Sequence, residues 1–122
     1  YRWQDELKSL DNEEWKKEIA YNCSPFTVTQ LPAVLDLIDT VEDIILNDIP
    51  GDFVECGVFM GGSCMIIAEV LKHYNVNRTI WLFDTFDGVP MPSEHDVTPE
   101  GESLKDWYKN FLFQILILWV MI

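Results

Sequence analysis

Hydrophobic residues follow different rhythms in different stretches of this chain. Between residues 31 and 48, Val34, Leu35, Ile38, Val41, Ile45 and Leu46 lie along one stripe of a helical period, while Asp36, Asp39, Glu42 and Asp43 fall mostly off it. The spacing predicts an amphipathic helix with its apolar side on a core. Pro32 is tolerated in the first turn, and Pro50-Gly51 is expected to stop the helix. Residues 52–58 (DFVECGV) form a short apolar run that reads as a strand. Gly61-Gly62-Ser63 follows, and then a segment from about Cys64 to His73 that is apolar on most faces, as in a helix buried against a sheet. Residues 79–84 (TIWLFD) form a second strand with no polar interior, the pattern of a parallel sheet covered on both faces. In that reading Trp81 and Phe83 belong to the sheet core, and Cys56 is a small buried hydrophobe. Strand, helix and strand within about thirty residues make a βαβ unit, with a right-handed crossover expected.

The flanks are less regular. Residues 3–20 are charged, with Trp3, Leu7, Leu10, Trp15 and Ile19 interspersed. They fit two short helices, with Asp11 or Asn12 as the cap between them. Residues 21–30 read as a loop, and residues 85–103, rich in Pro, Gly and acid, as a longer one. The last twelve residues, FLFQILILWVMI, hold one polar side chain and are too short to span a bilayer. A buried strand, a buried helix and the non-native end of a damaged reading frame all fit that segment. The organisation expected is a helical arm over residues 1–24, a partial α/β domain over 25–110 and the apolar tail over 111–122.

Composition narrows the partners. A formal charge of −13 repels phosphate backbones and anionic lipid headgroups, so nucleic acid and membrane surfaces are not expected partners. The three cysteines form no C-x-x-C pair, and the first residues, YRWQDE, are no signal peptide. Both features point to a reducing, cytoplasmic setting. The chain does not begin with Met, which suits a piece cut from something longer.

The segment that carries chemistry is Glu55-Cys56-Gly57-Val58-Phe59-Met60-Gly61-Gly62-Ser63, between strand and helix. Glycines allow a sharp turn and close approach of a ligand to the backbone. The helix beyond presents free N–H groups and its positive dipole end. Asp84 ends the next strand, 22 positions after Gly62, where an acid can accept the hydroxyls of a ribose. A dinucleotide site needs a second glycine where Phe59 stands, and a phosphate-binding loop needs a Lys before Ser63. S-adenosylmethionine remains. Its carboxylate suits the helix N-terminus and Ser63, its ammonium suits Glu55 or strand-end carbonyls, and its ribose suits Asp84. Taken singly, each feature has a plainer reading. Gly61-Gly62 also makes a tight turn, and Asp84 also serves as a cap or a solvated acid. Glu55, in an apolar strand, needs a partner, either the cofactor or a nearby backbone N–H. Glu94, His95 and Asp96 have metal-ligand chemistry but read as a solvated charge run, so no metal site is assigned. His73 is placed to serve the C-terminus of its helix.

Three stretches, PFTVT at 25–29, GDFVECGVFMGGS at 51–63 and IWLFDTFDGVPMPSEHDV at 80–97, resemble the macrocin O-methyltransferase (TylF-like) family. That family comprises bacterial S-adenosylmethionine-dependent O-methyltransferases, several acting on sugar hydroxyls of antibiotics. The resemblance covers roughly residues 25–107. It implies a Rossmann-like class I methyltransferase fold, an αβα sandwich, incomplete here and preceded by N-terminal helices. It also implies that Glu55, Gly57, Gly61 and Ser63 line the methionine end, that Asp84 holds the ribose, and that Thr27 or Val28 closes over the cofactor, with Gly62 also among the cofactor-binding residues. The loop from Thr85 to Ser103 would then belong to a lid over a small-molecule hydroxyl acceptor, and assembly into homo-oligomers is compatible with it. Members of the family continue well past this point, with an acidic motif resembling Asp-Ala-Asp that supplies metal ligands. Nothing in residues 108–122 matches it. Mg²⁺ is therefore compatible with the resemblance, but its ligands are absent from this chain, and no catalytic residue is assigned. The function implied is O-methyl transfer to a sugar or other small molecule. The alternatives are a truncated remnant with at most weak cofactor binding and a fragment of a nucleotide-dependent oxidoreductase.

Overall fold

Residues 3–88, 90–105 and 107–109 are described by the structure, a computed structural model. The apolar tail at 111–122 lies outside them. The element order is α1 (Gln4–Ser9), α2 (Glu14–Cys23), a 3-10 turn (Ser24–Phe26), α3 (Leu31–Leu46), β1 (Phe53–Cys56), α4 (Gly62–His73) and β2 (Ile80–Phe83). The chain divides into two units, one ending at Phe86 and one beginning at Asp87.

In the first unit β1 and β2 pair in parallel, with Phe53 opposite Ile80 and Cys56 opposite Phe83. Together with α4 they form the βαβ unit of an incomplete Rossmann-like α/β fold. The buried centre is helical. Ile19, Ala20 and Cys23 of α2, Leu31, Val34, Ile38 and Val41 of α3, and Ile66, Ile67, Val70 and Leu71 of α4 share one cluster with Trp3 and Leu7. Trp3, Leu7 of α1 and three residues of α2 thus contribute to this core. Burying each large aliphatic side chain of this set contributes about 1.5–3 kcal/mol.

A polar cluster fastens the three helices on their outer side. Lys16 is buried along its stem and donates to Asp39 Oδ1 at 2.7 Å and to Glu42, which also accepts from the Tyr74 hydroxyl. Burial disfavours the Lys16 charge, but the hydrogen bonds and charges of Asp39 and Glu42 outweigh it and raise its pKa. Burial likewise opposes the Glu42 charge, yet Lys16 and Tyr74 together hold that carboxyl below its ordinary 4.5. The Trp15 ring stacks on His73 with centroids 4.0 Å apart. His73 does lie in the last turn of α4, as expected, and its ring also packs between the helices.

Several expectations need correction. Leu46 is 64% exposed and lies off the core stripe. The buried positions 31, 34, 38 and 41 continue to the partly buried Ile45, and one further residue turns about 100° away from that line. The helix ends at Leu46, before Pro50-Gly51. Asn47 Nδ2 donates to the Asp43 carbonyl at 2.8 Å, and Asp48 takes a left-handed φ of 51°. Neither Asp11 nor Asn12 caps α2; Glu13 occupies that position without a side-chain cap bond. Among the described residues the sheet is covered by helices on one face. Phe53 and Glu55 turn toward the helices and are half-buried, whereas Val54 and Cys56 alternate to the other side and are exposed. On the neighbouring strand Trp81 is 52% and Phe83 58% exposed, so neither is sheet core.

Asp52 ties the start of one strand to the other, accepting from Thr79 N at 3.1 Å and Trp81 Nε1 at 3.0 Å. In the second unit, residues 90–102 are irregular apart from a bridge between Val97 and Ser103, and residues 104 and 105 are helical. Among the described residues no helix is long and apolar enough to cross a membrane.

Candidate functional site

The turn between β1 and α4 depends on three left-handed residues. Gly57 has φ +89°, Gly61 φ +85°, and between them Phe59 has φ 51°. A Cβ added at Gly57 or Gly61 would meet nothing within 4 Å, so the backbone at both positions faces open space. The requirement there is conformational, because left-handed backbone is strained for most side chains. Gly57 N donates to the Phe83 carbonyl at 2.8 Å, and this bond carries the β1–β2 ladder into the loop.

Gly62 differs. It has ordinary helical backbone and is buried, and a Cβ on it would lie 2.6 Å from the Phe26 carbonyl oxygen and 2.6 Å from Thr27 Cβ. The 3-10 turn and Thr27 are therefore pressed against the first turn of α4. This brings Thr27, a predicted site residue distant in sequence, to the glycine loop. Thr27 Oγ1 also accepts from Thr29 N at 3.1 Å, which fixes the chain as it leaves the turn. Ser63 is half-buried in the same helical turn, at the end where the leading N–H groups of α4 lack partners within the helix. A carboxylate docked there would meet those donors and the positive end of the dipole.

Glu55 has a partner that the sequence did not reveal. The Cys64 thiol, on the first turn of α4, donates to Glu55 Oε2. Burial pushes the Cys64 pKa up, and the hydrogen bond and charge of Glu55 carry it further, to about 12. The thiol is thus held as a donor to Glu55. A carboxylate in an apolar strand signals that some donor is near, but only the fold brings the first turn of the next helix to it.

Asp84 leaves β2 beside the loop. Its Oδ2 accepts from Val58 N at 2.6 Å and, at 3.4 Å, from Phe59 N. Its Oδ1 accepts from Phe86 N at 3.0 Å and from the Thr85 hydroxyl at 3.3 Å. The backbone hydrogen bonds from Phe86 and Val58 are the main reasons its carboxyl is held below the ordinary range. Phe86, like Phe59, has left-handed backbone, with φ 52°. No pattern of composition reveals this conformation at either aromatic residue.

The structure therefore brings Thr27, Glu55, Gly57, Gly61, Gly62, Ser63 and Asp84 to one end of the βαβ unit. The open loop backbone, the helix N-terminus and the two carboxylates suit a ligand with a carboxylate, an ammonium and hydroxyls. A dinucleotide suits it less, since Phe59 stands where such a site has the glycine that allows close backbone approach. In the second unit, His95 and Glu94 are solvated, with Nε2 and Oε1 3.7 Å apart, and the Asp96 carboxylate accepts from Ser93 N and Oγ at 2.7 Å each. Among the described residues no group of three His, Cys, Asp or Glu side chains converges on a metal-sized point.

Residues 11–115 match the model of the family described as Macrocin-O-methyltransferase (TylF). Over 51 residues the chain is 47% identical to a demethyldecarbamoylnovobiocin O-methyltransferase of Streptomyces niveus, covering 41% of this chain and 20% of that protein. Over 77 residues it is 34% identical to a mycinamicin III 3''-O-methyltransferase of Micromonospora griseorubida, covering 62% and 30%. Among solved structures, that of the O-methyltransferase NovP superposes with a TM-score of 0.55 at 32% identity, over 67% of this chain and 35% of that one. The chain spans less than a third of the length of these curated relatives.

Proposed function

The chain belongs to the macrocin O-methyltransferase (TylF) family, and from that membership we propose that its β1–α4 loop binds S-adenosylmethionine for methyl transfer to a hydroxyl of a sugar or other small molecule. The observation that carries the reading is the loop itself. Two left-handed glycines open the backbone to a ligand at the N-terminus of α4, with a carboxylate on either side. The names of the relatives support the acceptor class. One is a 3''-O-methyltransferase of mycinamicin III, and another, 37% identical over 65 residues, is a 4'-O-methyltransferase of a rhamnosyl-tetracenomycin.

When bound, S-adenosylmethionine supplies a methyl group on a sulfonium, which passes to the acceptor oxygen. The residues of this chain orient it. The first N–H groups of α4 and the Ser63 hydroxyl would receive its carboxylate, and Glu55, held by Cys64, would hold its ammonium. Gly57 and Gly61 would let the backbone approach it closely, Gly62 seats the turn that would carry Thr27 to it, and Asp84 would hold its ribose. Such positioning is the main lever for a displacement of this kind, together with removal of the acceptor's proton. No residue of this chain is assigned to that proton.

Calorimetric titration tests the reading. S-adenosylhomocysteine is expected to bind the full chain, and NAD to bind more weakly or not at all. Tighter binding of NAD, or no binding of S-adenosylhomocysteine, overturns it.

A further inference from the structure

Glu55 and Cys64 lie nine positions apart on different elements of the βαβ unit, and the fold joins them. The alternation of β1 turns Glu55 toward the helices, where it is half-buried. Gly62, Ser63 and Cys64 open α4, ahead of the bond from Met65 N to the Gly61 carbonyl at 2.9 Å. Their N–H groups are the donors that a carboxylate at this end would meet. Cys64 also sends its thiol to Glu55 Oε2. No other donor among the described residues reaches that carboxylate, so Oε1 keeps its acceptor positions. The chemistry of the donor matters. A thiol is weak and neutral, and it holds one oxygen without cancelling the charge of the carboxylate. A lysine or arginine in its place would pair with Glu55 and compete with an incoming cation. Burial, with the bond and charge of Glu55, pushes the Cys64 pKa up to about 12, so at neutral pH the thiol keeps its proton and adds no second negative charge.

We infer that Cys64 is a positioning residue that aims Glu55 at the ammonium of the ligand's α-amino acid end and sets its spacing from the N-terminus of α4. In such a group the ammonium and the carboxylate are borne on one carbon, so their receivers have to stand at a fixed separation. Cys64 belongs to the turn that takes the carboxylate and is bonded to the side chain that takes the ammonium, and it ties the two together. This rests on the proposed function for the identity of the ligand, and goes beyond it in giving Cys64 a part in recognition through Glu55.

Two measurements on the full chain test it. The first needs no ligand. The S–H stretching band of Cys64, identified in the infrared spectrum by its loss in Cys64→Ala, is expected to move to higher wavenumber in Glu55→Gln, because a neutral amide is a weaker acceptor than a carboxylate. The second is calorimetric and compares S-adenosylhomocysteine with an analogue in which hydrogen replaces the α-amine. Cys64→Ala is expected to weaken S-adenosylhomocysteine by about three- to tenfold, roughly what one modest hydrogen bond contributes, and the deaminated analogue by less than about twofold. Cys64→Ser keeps a donor at that place and should hold S-adenosylhomocysteine to within about twofold of wild type. A merely structural role would weaken both ligands alike. Equal losses therefore overturn the inference, as does a Cys64→Ser protein that binds no better than Cys64→Ala, or a thiol band that stays in place. Failure of S-adenosylhomocysteine to bind wild type would instead sink the identity of the ligand, and the infrared band would still decide whether Cys64 holds Glu55.

Discussion

Replacing Gly62 with Ala tests how the front of the molecule is packed. On helix propensity alone the substitution stabilises, by at most the roughly 1 kcal/mol by which Ala is favoured over Gly in a helix interior, since Gly62 is the first residue of α4. Gly62 has helical backbone, so no conformational strain opposes that gain. Packing does oppose it. The new methyl would sit 2.6 Å from the Phe26 carbonyl oxygen and 2.6 Å from Thr27 Cβ, against 3.4 Å for the near edge of ordinary contact. The turn must then retreat by 3.4 − 2.6 = 0.8 Å, and the obstacle is backbone, which cannot swing aside as a flexible side chain can. Overpacking of this kind costs about 1–3 kcal/mol, and the rigid neighbour places it in the upper half of that range. The net expectation is destabilisation by about 1–2 kcal/mol after the propensity gain. Urea unfolding followed by far-ultraviolet circular dichroism reads it as a lower midpoint with unchanged slope. Gly61→Ala is the companion variant. It has open space for the methyl but φ +85°, so its cost is strain alone, and Gly61→Asn should recover part of it, since Asn tolerates left-handed backbone. A Gly62→Ala protein more stable than wild type would refute the packing argument and detach the Phe26–Thr27 turn from α4.

Other outcomes follow from the helical side. Lys16→Met should destabilise by about 2 kcal/mol, because Glu42 keeps only Tyr74 while the half-exposed Asp39 regains water; an unchanged urea midpoint would count against the cluster. Glu42 is held below its ordinary 4.5, so its contribution is present above that value and is lost as pH falls through the lowered one. Stability should therefore decline below about pH 4.5, and Glu42→Gln should make that decline shallower in urea series at several pH values. Of the three thiols, only Cys56 is exposed. Burial raises Cys23 to about 11, helped by Glu69, and Cys64 stands at about 12. At pH 8 the thiolate fractions of these two are roughly 10⁻³ and 10⁻⁴, so an alkylating reagent followed by mass spectrometry should label Cys56 first. Rapid labelling of Cys64 would show that its bond to Glu55 is not maintained.

The parts of the fold that depend on local order were legible in the sequence. The stripe of α3 and the glycine turn into α4 follow from periods and residue types, which one segment expresses by itself. What failed depends on which neighbours are present. Trp81 and Phe83 have the composition of a sheet covered on both sides, but among the described residues only the face bearing Phe53 and Glu55 meets helices. Leu46 was misplaced because a wide apolar stripe does not say where a helix leaves its core. At the site, the residues named in advance do converge, yet their bonds could not be anticipated. The Cys64 thiol turns to Glu55 through the approach of α4 to β1, and the Asp84 carboxylate through left-handed amides in two loops. Thr27 reached the site from outside the βαβ unit by way of the resemblance, and the close approach of its turn to Gly62 supplies the physical reason.

The residues that hold the first unit together and those that line its loop are almost separate sets. Ile38, Val34, Val70 and Ile66 are sealed among helices, while Gly57 and Asp84 are exposed, and Glu55, Gly61 and Ser63 are half-buried at the rim. A molecule divided in this way can explore new ligands cheaply, since changes at the rim draw little on the stability reserve of the core. Gly62 is the exception. It is buried, it opens α4, and it bears the turn that carries Thr27, so a change there would be felt in both roles. Libraries that diversify the loop while keeping Gly62 should retain folded members far more often than libraries that vary it.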